Sequence, residues 1–267
     1  MSLSDAEVAV AAALAGAEVV ARDYGATHAR FAKSAIDFAT ETDVDAEAAI
    51  VRVLASHHPQ DRLTGEESGD SGPAASTRRW LIDPLCGTLN FAATTPLFAV
   101  NVALIDDADT AAAASIDPIA NEVFWTDGSQ GYLRGGGEER ALVPSPVSGL
   151  VEINCDGPLD RRFVGGQLVH DPHLRAAYGP RVISSTLGVA WVAAGRRAAY
   201  VSDGTFHENL HFAAGIAIAK AAGCLISDLA GNPLNTSRGL IVSADAATQR
   251  AILALVEPHL AAVTKAV

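Results

Sequence analysis

The sequence predicts a mixed α/β protein, and three observations carry that expectation. The N-terminal part holds two helical patterns, apolar strand-like runs recur from Trp80 onward, and a helix followed by a strand returns after Ser184. Composition agrees. With 267 residues, 49% of them apolar and 19% charged, the chain can bury a large core, as one big unit or as two packed halves.

Residues from about Ser4 to Tyr24 are rich in Ala and Val, place Ser4 and Glu7 in capping-box spacing and end near Gly25, which predicts a long amphipathic helix. Its apolar run, Val8 to Ala17, is short, is flanked by Glu7 and Glu18 and has no basic leader, so it reads as neither signal peptide nor membrane span. Asp37 and Asp43 precede a second predicted helix, from about Val44 to His57, which stops before Pro59. His57 and His58 at its end read as a solvated pair. Glu66 and Glu67, in LTGEES, are by composition alone two solvated loop carboxylates. Trp80-Leu81-Ile82 reads as the end of a buried strand that Asp83 and Pro84 stop; Gly87-Thr88 then opens a helix start at Leu89-Asn90-Phe91. Ala99 to Leu104 and Glu122 to Trp125 read as strands. The triple glycine Gly135 to Gly137 lacks the Lys-Ser/Thr ending of a phosphate loop and reads as a turn. Pro144 to Gly149, with two prolines, is the predicted junction between halves, 1–145 and 146–267, and VEINCD beyond it is a candidate strand.

The net charge of −12 argues against nucleic acid or an acidic membrane as the main partner, and it leaves an anionic substrate in need of local cations. Cys86, Cys155 and Cys224 are too few and too scattered for a disulfide framework, which points to a reducing, cytoplasmic setting.

A carboxylate leaving a strand edge, next to N–H groups freed by a turn and a helix start, is a place where a cation and a phosphate can sit together. The stretch that has this form, WLIDPLCGTLNF, resembles the signature W-x-x-D-P-x-D-G-T-x-N-F of the inositol monophosphatase family, the Mg2+-dependent, lithium-sensitive phosphomonoesterases whose superfamily includes fructose bisphosphatases. Trp80, Asp83, Pro84, Gly87, Thr88, Asn90 and Phe91 fall on the pattern; Cys86 stands where the family has its second aspartate. Lys33, Asp37, Thr40, Asp43 and Glu47 resemble the family's K-x-x-x-D-x-x-T-x-x-D-x-x-x-E segment. LTGEES resembles its short strand and acidic turn. The stretch Ser184 to Val201 resembles a helix-strand unit in which Ile183 and Ala198 replace a glycine and an aspartate. His211 to Leu234 resembles the helix, strand and D-x-x-G-N-P-L ending, with Leu210 and His211 in place of the family's Trp-Asp.

The resemblance implies a layered α-β-α-β-α sandwich of the inositol monophosphatase and fructose bisphosphatase type, a homodimer, and a small phosphorylated metabolite as substrate. It implies a first Mg2+ site made by Glu66, Asp83 and the carbonyl of Leu85, water activation by Thr88 with Asp43, and phosphate oxygens held by the N–H groups of Gly87 and Thr88. A second site would be built from Asp83, Cys86 and His211. Sulfur and imidazole donors suit Zn2+ better than Mg2+, so two readings compete: a lost second metal with Cys86 as filler, or a site converted to a transition metal. Accordingly the expected function is a metal-dependent phosphomonoesterase, with a catalytically impaired relative that binds a phosphorylated ligand or protein as the alternative. Other chemistries lack support. A cysteine nucleophile of the C-x5-R type would need arginine where Ala92 stands, no G-x-S-x-G elbow occurs, and His207 and Glu208 are at most supplements to His211.

Overall fold

The computed structural model describes residues 3–26, 29–33, 38–107, 109–158, 162–206, 209–234 and 238–264. They gather into two compact units, the first Met1–Ala141 with Ser185–Leu187 and Leu210–Ile218, the second the remainder.

In the first unit the elements run α1 (Asp5–Asp23), β1 (Arg30–Ala32), β2 (Phe38–Thr40), α2 (Glu41–His57), β3 (Arg62–Gly65), β4 (Gly69–Ser71), β5 (Arg78–Cys86), α3 (Thr88–Ala92), β6 (Ala99–Asp106), β7 (Asp109–Asp117), β8 (Glu122–Thr126), β9 (Gly131–Gly135) and β10 (Glu138–Ala141). The expected capping box opens α1, Ser4 and Glu7 each satisfying the other's backbone N–H. A mixed eight-stranded sheet has the order β10-β9-β8-β7-β6-β5-β3-β4, with β3 parallel to β5 and its other pairs antiparallel. Helix α1 packs on α2, β6 and β7. Small residues on its buried face permit a close approach: a Cβ on Gly16 would stand 2.7 Å from Ile50 Cδ1. The core beneath includes Val8, Val20, Ile50, Leu54, Trp80 and Phe98, each large apolar side chain contributing about 1.5–3 kcal/mol by burial.

Two expectations are corrected here. The second helix begins at Glu41 rather than near Val44, because Asp43 lies inside its first turn and folds back onto Thr40. And Asp83-Pro84 does not stop β5, which continues to Cys86. Asp83 pairs with Asn101 and Cys86 with Ala99, so three steps along β5 match two along β6, a one-residue bulge. Pro84 has no N–H to give to the ladder, and the extra residue accommodates it without ending the strand. The triple glycine does form a turn, between β9 and β10, with Gly136 and Gly137 at positive φ.

The second unit contains β11 (Leu150–Ile153), α4 (Val164–His170), α5 (Pro172–Ala177), β12 (Gly179–Val182), most of α6 (Leu187–Ala193), β13 (Ala199–Ser202), β14 (Leu225–Ser227), β15 (Leu240–Ser243) and α8 (Ala246–Thr264); α7 (Ala213–Ala221) begins in the first unit. Its sheet has the order β12-β11-β13-β15-β14, parallel across the first three strands and antiparallel beyond. Val151, Ile153, Leu168, Val201 and Ile252 lie in its core. Buried Glu152 pairs with Arg197, whose guanidinium lies 4.7 Å from the centre of the Trp191 ring.

Candidate active site and metal centre

Because Ser185–Leu187 and Leu210–Ile218 belong to the first unit, Thr186 and His211 join the residues of β5 and of the turn after β3. Asp83, on β5 just before the bulge, is fully buried. Its Oδ1 accepts the N–H of Leu85 at 3.2 Å, and its Oδ2 lies 2.9 Å from His211 Nδ1, in the turn before α7. Glu66, in the turn after β3, is fastened to β5 through its own N–H, donated to the carbonyl of Ile82 at 3.1 Å. Its Oε2 stands 3.8 Å from His211 Nδ1. One ligand atom from each of Glu66, Asp83 and His211 falls within 4.8 Å of the others, a spacing that suits a single metal ion.

Cations of the chain itself balance this group. Lys33 Nζ donates to Glu66 Oε1 at 2.7 Å and to Glu67 Oε1 at 2.6 Å. Burial alone would lower the pKa of Lys33, but the two carboxylates raise it. Burial and the charge of Asp83 push Glu66 up to about 7, against the opposing pull of His211 and Lys33. For His211, burial disfavours the charged ring, yet the hydrogen bond and charge of Asp83, with the charge of Glu66, outweigh it and raise the imidazole to about 9.

Asp43 and Thr88 form the second part of the site. Asp43 is the third residue of α2, and its Oδ2 accepts the N–H and the hydroxyl of Thr40 at 2.7 and 2.5 Å. Its Oδ1 remains for the hydroxyl of Thr88 at 3.0 Å; the carbonyl of Leu85 is a competing acceptor at 3.1 Å. Burial raises the pKa of Asp43, while the Thr40 and Thr88 bonds hold it back. Gly87 turns the chain from β5 into α3 with φ of 103°, a conformation that a side chain at this position would strain.

The sequence-predicted residues thus fall in two groups, Asp43 with Thr88 and the Leu85 carbonyl, and Glu66 with Asp83 and His211. Cys86 joins neither. The residue is half-buried; burial first, then the charge of Asp83, pushes its pKa up against hydrogen bonds from Thr186, so the thiol stays protonated. Asp37, His207 and Glu208 lie outside the described residues.

Three contributors escape a reading of the sequence alone. Glu47, recognised there only as a motif match, is buried in α2 and accepts the N–H groups of Glu67 and Ser68 at 2.8 and 2.7 Å, fixing the acidic turn. Asn101, on β6, donates to Thr186 Oγ1 at 3.0 Å; a polar residue inside the apolar run AVNVALI was its signal. Thr186, which holds Cys86, had none.

The sequence model of the inositol monophosphatase family matches residues 3–261. The chain belongs to that family. It is 32% identical to the inositol-1-monophosphatase of Caulobacter vibrioides over 230 residues, covering 82% of this chain and 88% of that one. It is 31% identical to the Escherichia coli protein named Nus factor SuhB over 258 residues, covering 92% and 93%. Among solved structures, the extragenic suppressor protein SuhB of Bartonella henselae superposes with a TM-score of 0.81 at 25% identity over 93% of this chain and 96% of that one. The Thermotoga maritima IMPase gives 0.77 at 22% identity, covering 93% and 94%. The fold is therefore the α/β class of the inositol monophosphatase and fructose bisphosphatase type, as the sequence predicted.

The family's Mg2+ can be compared with the donors present. Glu66, Asp83 and the Leu85 carbonyl are oxygen donors of the kind Mg2+ accepts. A second Mg2+ does not fit, since a protonated thiol and an imidazole engaged by Asp83 stand where the family has two carboxylates.

Proposed function

We propose that the protein is a cation-dependent phosphomonoesterase that hydrolyses a small phosphorylated metabolite, an inositol monophosphate or a similar sugar or alcohol phosphate. The observation that carries this reading is the Thr88 hydroxyl donating to buried Asp43, with Leu85 touching both Thr88 and Asp83 of the Glu66 and Asp83 pair. With its proton committed to Asp43, Thr88 Oγ1 presents lone pairs to a water molecule and orients it. Asp43 takes up the proton through Thr88, and its raised pKa makes it a stronger base than an exposed aspartate. Gly87 and Thr88, at the opening of α3, offer their N–H groups to phosphate oxygens. Glu66, Asp83 and the Leu85 carbonyl hold the cation. When bound, it lowers the pKa of water and neutralises phosphoryl charge. A cytoplasmic homodimer completes the reading; among the described residues no helix is long and apolar enough to cross a membrane.

The test is an assay panel of inositol, sugar, nucleotide and histidinol phosphates with Mg2+, Mn2+ and Zn2+. Hydrolysis of at least one ester is expected, falling about 10²–10⁴-fold in Asp43→Asn, the span of a general base. Full activity in that variant would remove Asp43 from the mechanism. A second reading, a partner-binding protein without efficient turnover, is supported by the relatives named Nus factor SuhB and by the missing donors for a second Mg2+. It predicts no hydrolysis of any ester with any of the three ions.

A further inference from the structure

His211 changes the kind of ion that the two carboxylates suit. The ring nitrogen nearest them lies 2.9 Å from Asp83 Oδ2 and 3.8 Å from Glu66 Oε2, so the imidazole stands among both carboxylates. Cys86 is not a member of that group. We infer that Glu66, Asp83 and His211 form one mixed oxygen and nitrogen site for a single first-row transition metal ion, Zn2+ foremost, in place of the two Mg2+ ions implied by carboxylate-only donors.

The inference rests on the proposed cation site and specifies its occupant. Three reasons converge. Imidazole is a borderline donor that favours Zn2+ over Mg2+, which selects oxygen octahedra and keeps its waters. Two carboxylates with one histidine make a three-ligand set that leaves a position open for water, the pattern of catalytic rather than structural zinc. And among the described residues the group of ligand atoms lying within 4.8 Å of one another is Glu66, Asp83 and His211, with no thiol in it, so sulfur stands outside the set. Charge points the same way: Lys33 already shares Glu66, which disfavours crowding two divalent ions onto these few carboxylates.

The experiment is zinc titration of the whole chain against a chelating dye, with X-ray absorption spectroscopy of the loaded protein. Expected are one equivalent of Zn2+, affinity at least a hundredfold above that for Mg2+, an imidazole signature, and no sulfur shell at about 2.3 Å. His211→Asp should lower the Zn2+ to Mg2+ affinity ratio at least tenfold, and Cys86→Ser should leave it unchanged. Lys33→Met should tighten Zn2+ several-fold. Two ions per chain, a sulfur shell lost in Cys86→Ser, or an unchanged ratio in His211→Asp would each overturn the inference. If the wild type binds one ion with no preference for Zn2+ and Asp83→Asn abolishes binding, the inference fails while the cation-dependent reading stands. If the wild type binds neither Zn2+, Mn2+ nor Mg2+, both fall. The spectrum of the wild type decides the donor set even where a variant fails to fold.

Discussion

Replacing Glu47 by alanine should damage the site without touching it. Glu47 is 2% exposed, and its two oxygens accept the N–H groups of Glu67 and Ser68. Hydrogen bonds to a charged group contribute about 1.5–3 kcal/mol each. Ser68 is exposed, so water recovers part of its bond, whereas the half-buried Glu67 N–H loses most of its own. The expected loss is therefore about 2–4 kcal/mol, a large share of a stability of roughly 5–15 kcal/mol. Glu47→Gln keeps one acceptor oxygen but turns an NH2 toward the other N–H, so it should lose about half as much. Because the same turn carries Glu66, cation affinity should fall about tenfold in Glu47→Ala, near 1.4 kcal/mol of lost positioning. Urea unfolding measures the first quantity and metal titration the second. A Glu47→Ala protein within about 0.5 kcal/mol of wild type, with unchanged cation affinity, would refute the assignment of Glu47 as the residue that holds the turn.

The imidazole of His211 is raised from 6.5 to about 9, so its contact with Asp83 should stabilise the fold fully below pH 6.5 and lose that contribution as pH rises through about 9. Denaturant unfolding of wild type and His211→Gln across this window should show the difference shrinking with pH; a constant difference would contradict it. Cys86, its pKa raised by burial and by the charge of Asp83, should react with disulfide exchange reagents at pH 8 more slowly in the folded chain than in the unfolded one. Rapid modification of Cys86 in the folded chain, located by mass spectrometry, would show the thiol to be open. Gly87→Ala should destabilise by about 1–3 kcal/mol, because φ is 103° and the new Cβ would stand 2.8 Å from the carbonyl oxygen of Leu97. A thermal melt matching wild type would show that the turn can relax.

Local chemistry made much of this protein legible in advance. The Ser4 and Glu7 box, the glycine turn before α3 and the hairpin around Gly136 depend on neighbours in sequence, and each stands where its residues indicate. What remained hidden depends on distant partners. Pro84 looks like a strand terminator until β6 is set beside it, when a bulge absorbs the missing donor. Asp43 reads as a residue preceding a helix, although its side chain is what draws the helix start back to Glu41. The family pattern indicates the positions of Cys86 and His211 along the chain, but the contact of the His211 ring depends on Asp83, remote in sequence.

Lys33 and His211 bear on how this protein is born. Many small metal sites are like-charge clusters that repel themselves apart until the ion arrives, so folding and loading are one event. Here an ammonium and an imidazolium offset much of the charge of Glu66, Glu67 and Asp83, so the three carboxylates can be gathered before any ion arrives. Under the proposed function, loading becomes an exchange, in which the arriving ion evicts resident cations from a finished scaffold. Chelation would empty such a scaffold without unfolding it, and the fraction in service would follow the supply of metal rather than the rate of synthesis.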